Sequence, residues 1–154
     1  MHSRVFEITK TKIDEWDRMT ESDLYESSNF VGPIADYLSD NNDRNDDINW
    51  LLRYIGPHEI EYDEEENSII FSDNFAVNYF ENRFKKFKDS AEKITLKEFS
   101  EGFHSVYKIQ QYLEEIYGFY VFDFDEGVRT FDSFIREVQP GVKYYIGGTV
   151  DYHC

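Results

Sequence analysis

Lys143-Tyr-Tyr-Ile-Gly-Gly-Thr-Val-Asp-Tyr-His153 is the stretch on which the fold turns. Tyr, Ile, Thr and Val suit a pleated, half-buried strand, so the segment reads as β. Gly147-Gly148 in its middle marks either a two-residue turn or a bulge. Working outward, Arg4–Thr9 (RVFEIT) alternates charged or polar with apolar residues and reads as a first strand. Ile60–Tyr62 and Ser68–Phe71 flank the acidic turn Asp63-Glu64-Glu65-Glu66-Asn67 and read as a hairpin. Phe119–Phe124 is a further strand-like aromatic run.

Helical spacing fills much of the remainder. Ile48, Leu51, Leu52 and Ile55 repeat at i, i+3, i+4, i+7, and Gly56-Pro57 stops that helix. Thr20 and Asp23 suggest a short capped helix, and Pro33 with Ile34, Tyr37 and Leu38 another. From Asp73, residues Phe75, Tyr79, Phe80, Phe84 and Phe87 form an inward face opposite a basic cluster of Arg83, Lys85, Lys86, Lys88 and Lys93. Thr95 and Glu98 form a capping box. Val106, Ile109, Leu113 and Ile116 point inward on a helix ending at Gly118, and Thr130–Val138 reads as one more short helix. Strands and helices mix without βαβ alternation. The expectation is α+β: one domain over residues 1–154, an antiparallel sheet of about four to five strands packed with several helices.

Composition narrows the class. Of 154 residues, 14 are Phe, 12 Tyr and 2 Trp, which supplies a core that acidic disordered chains lack. No apolar run reaches the ~18 residues of a membrane span, and the N-terminus carries no apolar signal-peptide region. The single cysteine, Cys154, excludes an internal disulfide framework, so a cytoplasmic protein is the expectation.

Charge is the outstanding feature. Between Asp14 and Glu66 stand 17 Asp and Glu against Arg18, Arg44 and Arg53, a net of −14 out of −16 for the chain. No lysine occurs between Lys12 and Lys85. Magnitudes of about 2–8 suffice for the solubility of a small domain, and a larger segregated surplus opposes compaction by self-repulsion. Such a surface suits a basic partner, and basic surfaces belong above all to proteins that bind nucleic acid. It repels nucleic acid itself and anionic membranes. Asp36, Asp40, Asp43 and Asp47 are spaced 4, 3 and 4 apart, which on a continuous helix gives one charge per ~4 Å. One strand of DNA offers a phosphate per ~3.4 Å. The plain alternative is a solvated face.

Other constellations are weaker. Asp123, Asp125 and Glu126 (FDFDEG) carry oxygen ligands for a divalent metal, the one enzymatic reading, but alternate with Phe122 and Phe124 as on any strand with a solvated face. The Asp40–Asp47 stretch lacks the glycine and glutamate of an EF-hand. His2, His58, His104 and His153 stand apart, and Cys154, at a terminus expected to fray, is a poor nucleophile. No P-loop, GxSxG or GxGxxG spacing occurs. A non-enzymatic protein without cofactor or metal is the expectation.

In its charge distribution, small size, aromatic richness and lack of catalytic motifs, the chain resembles the acidic inhibitors that phages and mobile elements direct against bacterial defence: anti-CRISPR proteins and anti-restriction DNA mimics. The resemblance implies a Cas effector, restriction enzyme or nuclease as partner, bound through its basic channel. It implies that Asp36, Asp40, Asp43, Asp46 and Asp47, with Asp63, Glu64, Glu65 and Glu66, stand in for phosphates. Trp16, Tyr25 and Tyr62 would be the anchors, as Trp and Tyr are enriched in interface hot spots. An immunity protein for a nuclease toxin needs the same surface.

Overall fold

The computed structural model describes residues 2–27 and 30–154. Its elements run β1 (His2–Thr9), α1 (Glu21–Ser27), β2 (Tyr37–Ser39), α2 (Arg44–Ile55), β3 (Ile60–Asp63), β4 (Ser68–Phe71), α3 (Phe75–Ala91), α4 (Leu96–Glu101), α5 (His104–Leu113), β5 (Tyr120–Asp123), β6 (Gly127–Thr130), α6 (Phe131–Glu137) and β7 (Lys143–His153). The α+β class holds. Among the described residues the sheet has seven strands, however, and is mixed, because β1 and β5 pair in parallel through Val5–Tyr120, Phe6–Val121 and Glu7–Phe122.

Strand β7 is the spine. One edge pairs antiparallel with β1 along its whole length, from His153 opposite His2 to Tyr145 opposite Thr9. The other edge is shared: Lys143–Tyr145 pair with β4, and Asp151–His153 with β2. The full order is β3-β4-β7-β1-β5-β6, with β2 beside β4 on the same edge of β7.

Gly147 and Gly148 form a bulge inside this strand. Phe6 pairs with Thr149 and Ile8 with Ile146, so two glycines stand opposite the single residue Glu7. A one-residue slip moves side chains to the opposite face of a sheet. Accordingly Tyr144 and Ile146, before the bulge, join one apolar cluster, with Phe6, Leu51, Phe71, Phe134 and residues of α2, α3 and α6. Val150 and Tyr152, after it, join a second cluster on the other face with Met19, Leu24, Phe30 and Leu38. The bulge lets one strand feed both cores.

Two features fix it. A side chain on Gly148 would overlap the Met19 carbonyl oxygen, and one on Gly147 would overlap the Glu7 carboxylate. Glu7, 1% exposed, accepts hydrogen bonds at Oε2 from the backbone N–H of Gly148 (2.7 Å) and of Met19 (2.8 Å). That staple holds the loop after β1 against the sheet.

Several expectations need correction. Tyr37 and Leu38 lie in β2 and not in a helix, because the strand answers to its pairing with β7 and not to local spacing. Helix α5 stops at Leu113, where Glu114 is extended, and Leu113 and Ile116 are exposed. Phe84 is exposed as well. His153 does not fray: it is paired in β7 and stacks on Tyr37 with ring centroids 5.1 Å apart. Cys154 packs half-buried against the second cluster.

Candidate partner-binding surface

Helix α2 starts where its chemistry allows. Asp43 is its N-cap, its Oδ1 accepting the N–H groups of Asn45 (2.9 Å) and Asp46 (3.2 Å). Asp and Asn compete with helical backbone bonding and prefer caps, so the Asp40–Asp43 run ends in a helix start. The expected continuous helical row from Asp36 to Asp47 therefore does not exist. Asp36 and Asp40 flank β2, Asp43 caps α2, and Asp46 and Asp47 sit in its first turn.

These carboxylates have different occupations. Asp47 is 4% exposed, its Oδ1 receiving Arg4 Nε at 2.6 Å and its Oδ2 the Thr149 hydroxyl at 2.9 Å and the Asn42 side-chain amide. Asp36 lies 3.3 Å from His153 Nδ1. Asp63 Oδ1 accepts the Glu66 N–H at 3.0 Å and closes the hairpin turn, while Glu66 pairs with Lys143. Tyr62 is half-buried against the first core, and burial pushes its hydroxyl pKa up. Asp40, Asp46, Glu64 and Glu65 are exposed, as are Tyr25 on α1 and Trp16.

Arg44 brings the acidic segments together. Its Nε donates to the Gly147 carbonyl (2.6 Å), Nη2 to the Ile146 carbonyl (2.8 Å) and Nη1 to Asn67 Oδ1 (3.1 Å). Asn67 ends the hairpin turn and Arg44 opens α2, so this guanidinium joins the two charge groups singled out in the sequence. Burial lowers the Arg44 pKa, neighbouring Arg18 acts in the same direction, and Tyr62, Glu7 and Glu15 oppose them. The loop after β1 is held through Glu7 to Gly148, next to the Gly147 carbonyl that Arg44 binds. It adds Asp14, Glu15 and Asp17, all exposed, with Trp16 at 90% exposure among them. In the sequence these three acids stand out only through the net charge, with no spacing that marks them as part of the site. The signal was Glu7, a lone carboxylate on an inward strand position that needs backbone donors.

The remaining candidates are engaged locally. Asp123 Oδ1 accepts the Asp125 N–H at 2.8 Å, shaping the β5–β6 turn, and Glu126 pairs with Arg129. They line a cavity of about 440 Å³ with Lys10, Lys12 and Glu7. Among the described residues, no group of three His, Cys, Asp or Glu side chains is placed to hold a metal ion.

The basic helix is anchored by a buried network. Arg83 of α3 donates through both terminal nitrogens to Asp132 of α6, at 2.8 and 2.7 Å. Asp132 also accepts the Tyr79 hydroxyl (2.9 Å) and the Glu115 N–H (2.7 Å). Burial alone would raise the Asp132 pKa, but these donors hold it below the usual carboxylate value. Tyr54, bonded to Tyr79 (3.2 Å) and Glu115 (3.0 Å), is pushed up to about 12, chiefly by burial.

Among the described residues, no helix is long and apolar enough to cross a membrane. Searched against protein-family models, curated proteins and solved structures, the chain matches none.

Proposed function

We propose that this protein is a non-enzymatic inhibitor whose acidic face occupies the basic nucleic-acid-binding surface of a nuclease or defence effector, in the manner of an anti-CRISPR or anti-restriction protein. The observation that carries the reading is the meeting of three acidic segments around the β7 bulge, where Arg44 donates to Gly147 and Asn67 and Glu7 ties Met19 to Gly148, with Trp16 exposed on the adjoining loop. Exposed carboxylates supply steering and salt-sensitive attraction. A projecting Trp supplies the apolar anchor that charge alone lacks. With the helical row broken, the face is an irregular acidic patch and not a ladder at phosphate spacing, so it competes with nucleic acid by covering the basic surface. An immunity protein that neutralises a nuclease toxin uses the same face, and the identity of the partner separates the two.

The test is affinity capture from a bacterial lysate at ~20 mM and ~500 mM salt, followed by competition with duplex DNA. Recovery at low salt of a basic nucleic-acid-binding protein that duplex DNA displaces is the expected result. Trp16→Ala with Asp40→Asn, Asp46→Asn, Glu64→Gln and Glu65→Gln abolishes that recovery. Saturable binding of the isolated protein to duplex DNA in a gel shift would overturn the reading.

A further inference from the structure

Strand β3 ends the sheet on one side: β4 pairs with one of its edges, and among the described residues no strand pairs with the other. The Ser72 N–H donates to the Glu59 carbonyl oxygen at 3.0 Å, and the register continues through Glu61–Ile70 and Asp63–Ser68. In an antiparallel ladder alternate residues exchange bonds with one neighbour, and the residues between them face away from it. Ile60 and Tyr62 therefore turn their N–H and C=O groups outward, where a further strand can take them. Native sheets close such an edge with lysine, proline, a bulge or a covering element. Ile60–Asp63 holds no lysine or proline, and its register with β4 runs without a shift.

Negative charge guards this edge instead. Residues 59–66 hold six Asp and Glu and no Lys or Arg. The cations nearby are already engaged: Lys143 pairs with Glu66, and Arg44 donates to Gly147, Ile146 and Asn67. Glu59 accepts from the Ser72 hydroxyl and the Asn78 amide, both at 3.0 Å, and Asp63 closes the turn. Glu61, Glu64 and Glu65 are exposed, and among the described residues none of the three has an ion-pair partner. Such charge opposes the pairing of β3 with a second copy of itself, since like charges directly opposite are destabilising. It attracts a basic strand. The two faces of β3 differ as well. Ile60 and Tyr62 pack half-buried against the first core, while Glu61 and Asp63 alternate with them and are exposed. These two acids border a cavity of about 420 Å³ that Ile70 and Lys143 also line.

We propose that the outer edge of β3 takes up an extended basic segment of a partner protein as an added strand. The residues of that segment opposite Ile60 and Tyr62 are apolar and continue the first core. Those between them are Lys or Arg and face Glu61 and Asp63 at cross-strand distance, about 4.5–5.5 Å between Cβ atoms. In this mode main-chain bonds supply the affinity and alternate side chains the specificity. The inference rests on the proposed function for its partner, a basic protein, and adds the chain conformation in which that partner binds.

The probe is a capped heptapeptide of alternating arginine and valine, titrated into the full chain by calorimetry at ~20 mM and ~500 mM salt. The expected result is saturable 1:1 binding that weakens at high salt, with hydrogen exchange at the Ile60 and Tyr62 amides slowed about tenfold or more on saturation. Methylating the valine nitrogens, which donate to the Ile60 and Tyr62 carbonyls, leaves the charge unchanged and is expected to weaken binding about tenfold or more. Methylating the arginine nitrogens, which point away from β3, is expected to be tolerated. Glu61→Lys, at an exposed position, is expected to weaken binding about tenfold. Equal affinity of the valine-methylated peptide overturns the proposal, because charge alone then holds the peptide. So does an absence of binding, or binding that leaves exchange at Ile60 and Tyr62 unchanged. Dimers of the chain alone that protect those two amides assign the edge to a second copy and overturn it too. If Glu61→Lys unfolds, the methylated peptides decide the matter on the unaltered protein. A failed titration beside a successful lysate capture sinks this inference and leaves the proposed function standing. Peptide binding as expected with no basic protein captured keeps the edge site and sinks the proposed function.

Discussion

Arg4 Nε donates to Asp47 Oδ1 at 2.6 Å, tying β1 to the first turn of α2 beneath the acidic face. The same guanidinium reaches Asp151 on β7, so one arginine offsets two carboxylates where three elements meet. Asp47 and its neighbour Asp46 are therefore chemically alike and physically opposite.

Removing one partner of a buried ion pair costs about 3–5 kcal/mol, because the other charge stays behind without compensation. Asp47→Ala is expected to lose about that much stability in urea denaturation. Asp46→Asn, at an exposed position, changes stability by no more than about 0.5 kcal/mol and reads out only in partner binding. Equal effects of the two substitutions on stability would contradict the assignment of Asp47 to the fold.

The bulge in β7 gives a second expectation. A methyl group on Gly148 meets the Met19 carbonyl oxygen, which is backbone and held in place by the Glu7 staple. Overpacking of this kind costs about 3 kcal/mol. Gly148→Ala is expected to lower the melting temperature and to expose residues 10–20 to proteolysis. A variant as stable and protease-resistant as wild type would show that the loop is not pinned there.

Local signals carried as far as local physics reaches. Ile48, Leu51 and Ile55 are buried on α2 at the spacing that announced the helix, and Gly56, with φ 97°, ends it. The Thr95–Glu98 capping box opens α4. The hairpin around Asp63–Asn67 stands where its turn residues placed it. Strand β2 was missed because its three residues owe their conformation to Asp151–His153, more than a hundred positions away. Strand β6 was missed because all four of its residues are half-buried, with no alternation to detect. The mixed sheet was missed because the Val5–Tyr120 register leaves no trace within either segment. For the site, the sign and concentration of charge were legible. Which carboxylates are spent on the fold was not, since Asp47 is held by Arg4 and Thr149, at the two ends of the chain, as well as by nearby Asn42.

Arg83 and Asp132 carry a third expectation, because their two-pronged pair, with the Tyr79 hydroxyl on the same carboxylate, ties helix α3 to α6 on the sheet layer. Asp132→Asn leaves Arg83 facing a neutral group and removes one anionic acceptor from Tyr79 and the Glu115 N–H. The loss expected is about 3 kcal/mol, at the lower end for a broken buried pair. Hydrogen exchange is expected to accelerate over residues 75–113 and to stay unchanged in β1 and β7. Uniform acceleration across the chain would mean that helices α3–α5 and the sheet open as one unit.

The last expectation concerns pH, where two buried carboxylates act in opposite directions. Asp132 has a folded-state pKa below its ordinary value, so its contribution is complete at neutral pH and is lost as pH falls through that low folded pKa. Glu7 has a pKa raised above its ordinary 4.5, chiefly by burial, with Asp23 and Asp123 adding to the shift against the two backbone donors. Between those two pKa values of Glu7 the folded chain binds more protons than the unfolded one, so its contribution to stability grows as pH falls through the raised value and is complete below 4.5. On acidification from neutral pH, the Glu7 gain therefore comes before the Asp132 loss. Glu7→Gln keeps an oxygen that can accept from Met19 and Gly148 and removes the titration. Its melting temperature is expected to rise less than that of wild type as pH is lowered from neutral toward 4.5. Parallel pH profiles for the two proteins would show that folding does not raise the Glu7 pKa.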